Sequence, residues 1–94
     1  MEKKRGRLEL INDILKTIMD NKNSIKMTPL LRKSNLSTER FKEYYRELEE
    51  KGLVREVITT SGENNGKTVS LTDKGFQFIE KYGTINNFIK EFGL

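Results

Sequence analysis

Two cations in the middle of the chain have the spacing of a shared binding surface. Lys42 and Arg46 are four residues apart, and Thr38 precedes Lys42 by another four. On a helix this spacing places all three side chains on one side, one turn after another. Ammonium, guanidinium and hydroxyl groups in such a row can bind phosphates and hydrogen-bond to base edges. The chemistry available in this stretch is therefore recognition of an anionic partner.

The residue inventory excludes several kinds of catalysis. The chain has no Cys and no His, so it has no disulfide, no thiol nucleophile, no Ser-His hydrolase site and no conventional zinc site. Only a metal site built from carboxylates alone stays open. Glu47, Glu49 and Glu50 lie on one predicted helix surface, without a phosphate-binding loop. We predict no enzymatic activity, no cofactor and no metal.

Charge is distributed unevenly along the 94 residues. Lys and Arg number 18 against 14 Asp and Glu, which gives a net charge of +4. Residues 1–35 hold nine of the cations against four acids, whereas residues 36–94 hold nine against ten. This asymmetry permits a polyanionic partner. No apolar run approaches the roughly 18 residues of a membrane span, and no signal-peptide pattern is present. We therefore expect a soluble cytoplasmic protein that does not contact a membrane.

The cationic row belongs to the second of two predicted helices. Thr28 is the predicted cap of the first helix, with Pro29 at its first helical position. Ser37 is the predicted cap of the second helix, which spans residues 38–51 and stops at Gly52. A short helix, a tight turn and a longer helix form a helix-turn-helix arrangement.

The apolar residues of the second helix indicate which side faces out. The apolar face of the helix carries Phe41, Tyr44, Tyr45 and Leu48. If Phe41, Tyr44 and Leu48 face inward, Tyr45 lies at the edge of the outward face, where it is predicted to contact DNA. Acidic groups near phosphates are unfavourable, although a glutamate can accept a hydrogen bond from a cytosine amino group. Entry of this helix into a DNA major groove is thus a separate hypothesis from the helix-turn-helix itself. The outward face mixes both charges: Glu39, Lys42, Glu43, Arg46 and Glu50.

The segments on either side have helix and strand patterns. Residues 8–19 form a predicted core helix because apolar residues recur at helical spacing. Residues 24–26 are a short predicted edge strand. Residues 53–59 and 67–71 are rich in β-branched residues and predict a hairpin around a polar loop. The apolar stripe of the first helix consists of Leu8, Ile11, Ile14, Leu15 and Ile18.

A long helix closes the chain. Thr72 is its predicted cap, the helix runs towards Leu94, and Gly83 marks a predicted kink or break. Apolar residues recur at heptad spacing along one seam, which consists of Phe78, Tyr82, Ile85, Ile89 and Phe92. A second apolar set lies off that seam: Phe76, Ile79 and Phe88. One set is expected to pack on the chain's own core and the other to pair with a second copy. The predicted dimer interface consists of Phe78, Tyr82, Ile85, Phe88, Ile89 and Phe92.

Two segments resemble a known family. TPLLRKSNLSTERFKEYYRELEEKGLV (residues 28–54) and LTDKGFQFIEKYGTINNFIKEFGL (residues 71–94) are similar to archaeal winged-helix regulators whose C-terminal helix forms an antiparallel coiled coil between two subunits. The resemblance extends from about Arg5 to Leu94. It implies a mostly helical α+β winged helix-turn-helix fold, with a two- to three-stranded wing sheet. It also implies double-stranded DNA as a partner and a homodimer, acting in transcriptional regulation or as a chromatin-like, nucleoid-associated protein.

These expectations divide the chain into a basic flexible arm (residues 1–7), a winged helix-turn-helix domain (8–71) and a dimerisation helix (72–94). The alternative is a winged-helix module that docks on another protein without binding DNA, which the acidic second helix and the apolar C-terminal seam favour. The predicted DNA contacts are Arg32, Lys33, Ser34, Asn35, Ser37, Thr38, Lys42, Tyr45 and Arg46, with Asn64, Asn65 and Lys67 from the wing.

Overall fold

A computed structural model describes residues 6–59 and 66–94. Its elements confirm the predicted fold class, a mostly helical winged helix with a three-stranded antiparallel sheet. Residues 1–5 of the predicted arm, and Asn64 and Asn65 of the predicted wing tip, lie outside the described residues. The elements are α1 (Arg7–Asp20), β1 (Ile25–Lys26), α2 (Met27–Ser34), α3 (Thr38–Glu50), β2 (Val54–Thr59), β3 (Gly66–Leu71) and α4 (Asp73–Glu91).

The first helix is the centre of the core, although its stripe is rotated from the predicted one. Helix α1 begins at Arg7, which is the last residue of the predicted arm. Leu8 was expected in the core but is 53% exposed, whereas Leu10 is buried. The reason is geometric: at about 100° per residue the buried arc extends from Leu10 at one edge to Leu15 at the other, and Leu8 lies just outside the Leu15 edge. The buried residues of α1 are Leu10, Ile11, Ile14, Leu15 and Ile18.

The helix pair has the predicted turn, but its first helix begins earlier than expected. Lys26 is the N-cap of α2, so Thr28 and Pro29 lie inside the first turn and the predicted cap at Thr28 is wrong. The strand leads directly into the helix, and Pro29 still occupies a position whose missing N–H has no intrahelical acceptor. The second predicted cap is confirmed, because the Ser37 hydroxyl accepts a hydrogen bond from the Arg40 N–H at 3.2 Å.

Gly52 ends α3 as predicted and directs the chain into the sheet. Its φ is +71°, the left-handed conformation that glycine adopts without steric cost. The N–H of Leu53 donates to the Leu48 carbonyl at 2.9 Å, and that of Gly52 donates to the Glu49 carbonyl at 3.0 Å. This pair of bonds is the Schellman arrangement, which satisfies carbonyls that the helix end would otherwise leave unpaired.

The sheet has the order β1-β3-β2, so the short strand is at an edge, as predicted. The wing is the β2–β3 hairpin, in which Val54 pairs with Leu71, Glu56 with Val69 and Ile58 with Lys67. Because side chains alternate along a strand, these residues share one face of the sheet. Leu71 and Val69 are buried on that face, which packs against the helices.

The last helix packs closely only at its start. The Thr72 hydroxyl accepts from the Gly75 N–H at 3.2 Å, which confirms the predicted cap. Phe78 and Ile79 pack against the core, although the sequence placed them in different apolar sets. The predicted division into a packed face and an exposed face is therefore wrong. The first half of the helix packs on the core, and the second half is exposed. The helix also runs without a break through Gly83. Its distal apolar residues are exposed: Ile85, Phe88, Ile89 and Phe92.

Candidate nucleic-acid interface

A surface groove of about 370 Å³ lies between α2, α3 and the wing strand β2. Its floor is apolar and aromatic, and its rim carries both hydroxyls and charges. The predicted row of Thr38, Lys42 and Arg46 lines one side of it. The other lining residues are Met27, Thr28, Leu31, Phe41, Tyr45, Glu49 and Glu56.

The packing of α3 explains why its cations lie on this flank. Phe41 and Leu48 are buried, which orients the helix. At about 100° per residue, Lys42 and Arg46 then project sideways towards the groove rather than straight outwards. All three members of the row, including Thr38, are exposed. The geometry therefore brings together the three residues that the sequence singled out first.

The opposite flank of α3 is held by the start of α1. Arg7 forms an ion pair with Glu47 there. Between the two flanks, the most outward strip of α3 is acidic, with Glu39, Glu43 and Glu50 all exposed. The cations of α3 are thus beside this strip and not on it.

Tyr45 does not lie at the edge of the outward face, and this expectation is wrong. Its side chain is 7% exposed and belongs to the core, where its ring stacks on Phe41 with centroids 6.0 Å apart. Its hydroxyl donates to the Glu56 carboxylate at 3.3 Å. Burial, and then the negative charges of Glu49 and Glu56, raise the pKa of this phenol well above its usual value. Tyr45 therefore forms the floor of the groove as a neutral hydrogen-bond donor.

Glu56 connects this floor to the wing. One carboxylate oxygen accepts from Tyr45, and the other lies 4.0 Å from the ammonium group of Lys67. Lys67 is well exposed, so the ion pair is screened by water and contributes little stability. The two contacts fix the position of α3 relative to the wing, because they connect α3 to both wing strands.

The polar residues predicted around the turn fall into separate places. Arg32 is exposed and lies on the outward side of α2, opposite the buried Leu30, and it does not line the groove; Lys33 is exposed as well. Ser34 is buried, and its hydroxyl donates to the Leu31 carbonyl at 2.6 Å. Its predicted exposure to a phosphate is therefore wrong.

The turn between the two helices is exposed. Asn35 has a φ of +59°, which ends α2 in the left-handed conformation that asparagine tolerates. Ser37 is also exposed, although its hydroxyl is used in capping α3. Both residues lie within three positions of Thr38, the first residue of the row.

Sequence reasoning missed the acidic side of the groove and the contribution of α2. Glu49 and Glu56 line it, and so do Met27 and Thr28. A clue was available at Glu56, because its parity in the strand is that of the buried Val54. The Glu56 side chain is 33% exposed, and its carboxylate has polar partners in both Tyr45 and Lys67.

The fold and the groove define a winged helix-turn-helix protein, with a helix pair, a wing and an exposed cationic row on the second helix. A family model described as winged helix-turn-helix matches residues 4–90. The chain therefore belongs to the winged helix-turn-helix family, whose domains are typically non-enzymatic and bind DNA. A search of curated proteins finds no significant match.

Two further observations concern other kinds of site. Within residues 6–59 and 66–94, no cluster of three or more acidic, His or Cys side chains could hold a metal ion. In the same part of the chain, no helix is both long and apolar enough to cross a membrane.

Proposed function

We propose that this protein binds double-stranded DNA as a homodimer and acts as a transcriptional regulator, without catalytic activity. One observation carries the DNA proposal. Thr38, Lys42 and Arg46 are exposed together on the flank of α3 that faces the wing and the start of α2. A helix with cations on this flank can lie in the major groove while the wing follows the neighbouring backbone.

Each residue of the row has a distinct part in this proposal. Arg46 has the planar guanidinium group that bonds in bidentate fashion to guanine, and Lys42 supplies a point charge for a phosphate or guanine. Thr38 offers a hydroxyl and a methyl group at the start of the helix. Arg32 and the exposed Asn35 are placed to contact the backbone beside it.

The acidic strip constrains how α3 can approach DNA. Glu39, Glu43 and Glu50 would meet phosphates if the helix entered the groove on its most outward side. Approach on the flank of Lys42 and Arg46 keeps these three carboxylates away from the phosphates and leaves Glu49 and Glu56 as the acids beside the DNA. We therefore infer a tilted entry, with the groove between α3 and the wing turned towards the DNA and Lys67 near the flanking backbone.

The distal half of α4 supports the homodimer. Ile85 is 58% exposed, Phe88 54% and Phe92 63%. A run of large apolar side chains exposed on a small protein favours association. The predicted interface residues Phe78 and Tyr82 are half-buried at the start of the same run. In such a dimer the two α3 helices would be related by two-fold symmetry, which favours a palindromic DNA site. We place this regulator in the cytoplasm, associated with the nucleoid.

The decisive experiment compares two charge-reversing double variants. Lys42→Glu with Arg46→Glu changes the row, and Lys16→Glu with Lys22→Glu changes two exposed lysines on α1 and the turn after it. Each double variant changes the net charge from +4 to zero, since each reversal subtracts two. Long-range attraction is therefore lowered equally in both, and only the local contacts differ.

Fluorescence anisotropy with a random and an AT-rich duplex at two salt concentrations supplies the measurement. We expect salt-sensitive binding by the wild type. The row variant should reduce it at least about 30-fold, since two contacts of about 1–3 kcal/mol each are lost, and the control only several-fold. A difference between duplexes supports a regulator over an architectural protein. Equal losses in the two double variants would contradict the proposed reading face.

A protein-docking module is the second candidate, and the acidic strip favours it. Glu39, Glu43 and Glu50 form a surface that suits a basic protein better than a polyanion. Absence of duplex binding even at low salt would favour this candidate over DNA binding.

A further inference from the structure

The row of Thr38, Lys42 and Arg46 continues along α3 into an acid. Glu49 follows Lys42 by seven residues, so at about 100° per residue it lies within about 20° of Lys42 around the helix. Glu49 is exposed and lines the same groove as the row. The flank of α3 that is proposed to face DNA therefore carries, in order, a hydroxyl, an ammonium, a guanidinium and a carboxylate group.

The two acids of the groove differ in their partners. Glu56 accepts a hydrogen bond from the Tyr45 hydroxyl and lies 4.0 Å from the ammonium group of Lys67. Tyr45 has a single O–H group, so it donates to Glu56 and not to Glu49. Within residues 6–59 and 66–94, no cation forms an ion pair with Glu49. Glu49 is therefore the groove carboxylate that can accept hydrogen bonds from a bound molecule.

A carboxylate that faces the major groove discriminates among the four bases, because it can only accept hydrogen bonds. Guanine presents two acceptors there, thymine presents an acceptor and a methyl group, and adenine presents an acceptor beside its amino group. Cytosine presents its amino group without a neighbouring acceptor. A carboxylate on α3 is thus matched to cytosine and is repelled by an acceptor on each of the other bases.

Arg46 is placed to contact the neighbouring base pair. Its guanidinium group can bond to both acceptors of guanine. Arg46 and Glu49 are three residues apart, which is about 4.5 Å along the axis at 1.5 Å per residue. Successive base pairs of a duplex are about 3.4 Å apart. The last turn of this flank therefore matches two adjacent base pairs, one through a cation and one through an acid.

We propose that Glu49 is a specificity-determining residue, which accepts a hydrogen bond from the amino group of a cytosine beside a guanine bound by Arg46. The proposal rests on the DNA binding proposed above and names the class of duplex that is bound, one with adjacent G·C base pairs at this position. The charge of Glu49 acts in the same direction, because it repels phosphates and favours bases against this end of α3.

Two neighbouring glutamates supply a matched pair of variants. Glu49→Gln and Glu50→Gln each remove one negative charge and change the net charge from +4 to +5. Both positions are exposed, but only Glu49 lines the groove. Long-range attraction to DNA is therefore raised equally in both variants. Glutamine bonds in bidentate fashion to adenine, so Glu49→Gln should change the preferred base rather than only the affinity.

Selection from a random-sequence duplex library, followed by sequencing, gives the preferred site of each protein. We expect cytosine beside guanine for the wild type and for Glu50→Gln, and adenine in place of that cytosine for Glu49→Gln. Fluorescence anisotropy then compares the selected duplex with the three duplexes that differ from it at this one base pair. The wild type should prefer cytosine at least about fivefold. Glu49→Ala should bind all four duplexes within about twofold of one another.

Failure of this inference differs from failure of DNA binding itself. A wild-type protein that binds duplexes but selects no cytosine beside guanine would overturn the role of Glu49 and leave DNA binding in place. The same preferred base in Glu49→Gln as in the wild type would do so too. Absence of duplex binding by the wild type, even at low salt, would remove both proposals together.

Discussion

Replacing Gly75 with alanine adds one methyl group where α4 crosses the backbone of the chain entering β2. A Cβ atom built at Gly75 would overlap the carbonyl oxygen of Leu53, and it would also lie 3.3 Å from that carbonyl carbon. The carbonyl cannot move aside freely, because it accepts a hydrogen bond from the Thr72 N–H at 3.1 Å. The contact is therefore backbone against backbone, with no flexible side chain to absorb the change.

The expected cost can be worked out from three opposing effects. Alanine stabilises a helix by up to about 1 kcal/mol relative to glycine. Overpacking a close contact costs about 1–3 kcal/mol, and weakening the Thr72 bond adds about 1 kcal/mol. We expect Gly75→Ala to lower the free energy of unfolding by about 1–3 kcal/mol. For a chain of this size, each 1 kcal/mol corresponds to a fall in Tm of roughly 4–8 °C.

Gly83 supplies the matched control in the same helix. A Cβ atom there meets nothing within 4 Å. Gly83→Ala should therefore raise the free energy of unfolding by about 0.5–1 kcal/mol through helix propensity alone. Urea unfolding followed by circular dichroism, at one protein concentration for all variants, measures both changes. A Gly75→Ala protein as stable as Gly83→Ala would refute the close-approach reasoning.

Three further outcomes follow from the caps and the groove. Because the Ser37 hydroxyl caps α3, Ser37→Ala should destabilise the protein by about 1 kcal/mol and Ser37→Gly by only a few tenths of a kcal/mol. Urea unfolding measures both losses, and equal losses would argue against capping. Tyr45→Phe should cost about 0.5–1.5 kcal/mol at neutral pH in the same assay, because the hydrogen bond to Glu56 is lost. Because folding raises the pKa of Tyr45, its contribution is complete below about pH 10 and is lost as the pH rises further, by up to about 1.4 kcal/mol per pH unit. A stability profile from about pH 8 to 11 should therefore fall more steeply for the wild type than for Tyr45→Phe, and parallel profiles would show that the pKa is not raised.

The contacts of Glu56 explain how the wing and α3 are held in place relative to each other. Glu56 contacts Tyr45 on α3 and Lys67 on the neighbouring strand. The same carboxylate borders the surface proposed to face DNA, where it would repel phosphates and direct them towards Lys42 and Arg46. The acid in this groove thus helps to define which part of the surface a polyanion can approach.

The sequence predicted the order of the elements and most of their ends, because these depend on neighbours within one helical turn. The caps at Ser37 and Thr72 and the stop at Gly52 are examples, and each was confirmed by its hydrogen bonds. The predicted cap at Thr28 is the exception. Strand β1 continues directly into α2, so Lys26 is the cap and α2 begins before Thr28.

The cationic row also followed from spacing alone, whereas its surroundings did not. That Thr38, Lys42 and Arg46 share one side is a property of helical geometry. The surface beside this row is formed by α2 and β2, which are separate elements of the chain. Helical spacing within α3 cannot predict how they pack against it. The acidic wall formed by Glu49 and Glu56 was therefore not predicted.

The sequence by itself thus determined the winged helix, its caps and turns, and the side of α3 that carries Lys42 and Arg46. Tertiary structure decided that Tyr45 turns inward to meet Glu56, that Leu8 remains exposed, and that α4 is divided along its length rather than between its faces. The physical reason is that helical and strand patterns arise from local contacts, whereas burial depends on where distant elements end and on how far they cover each face.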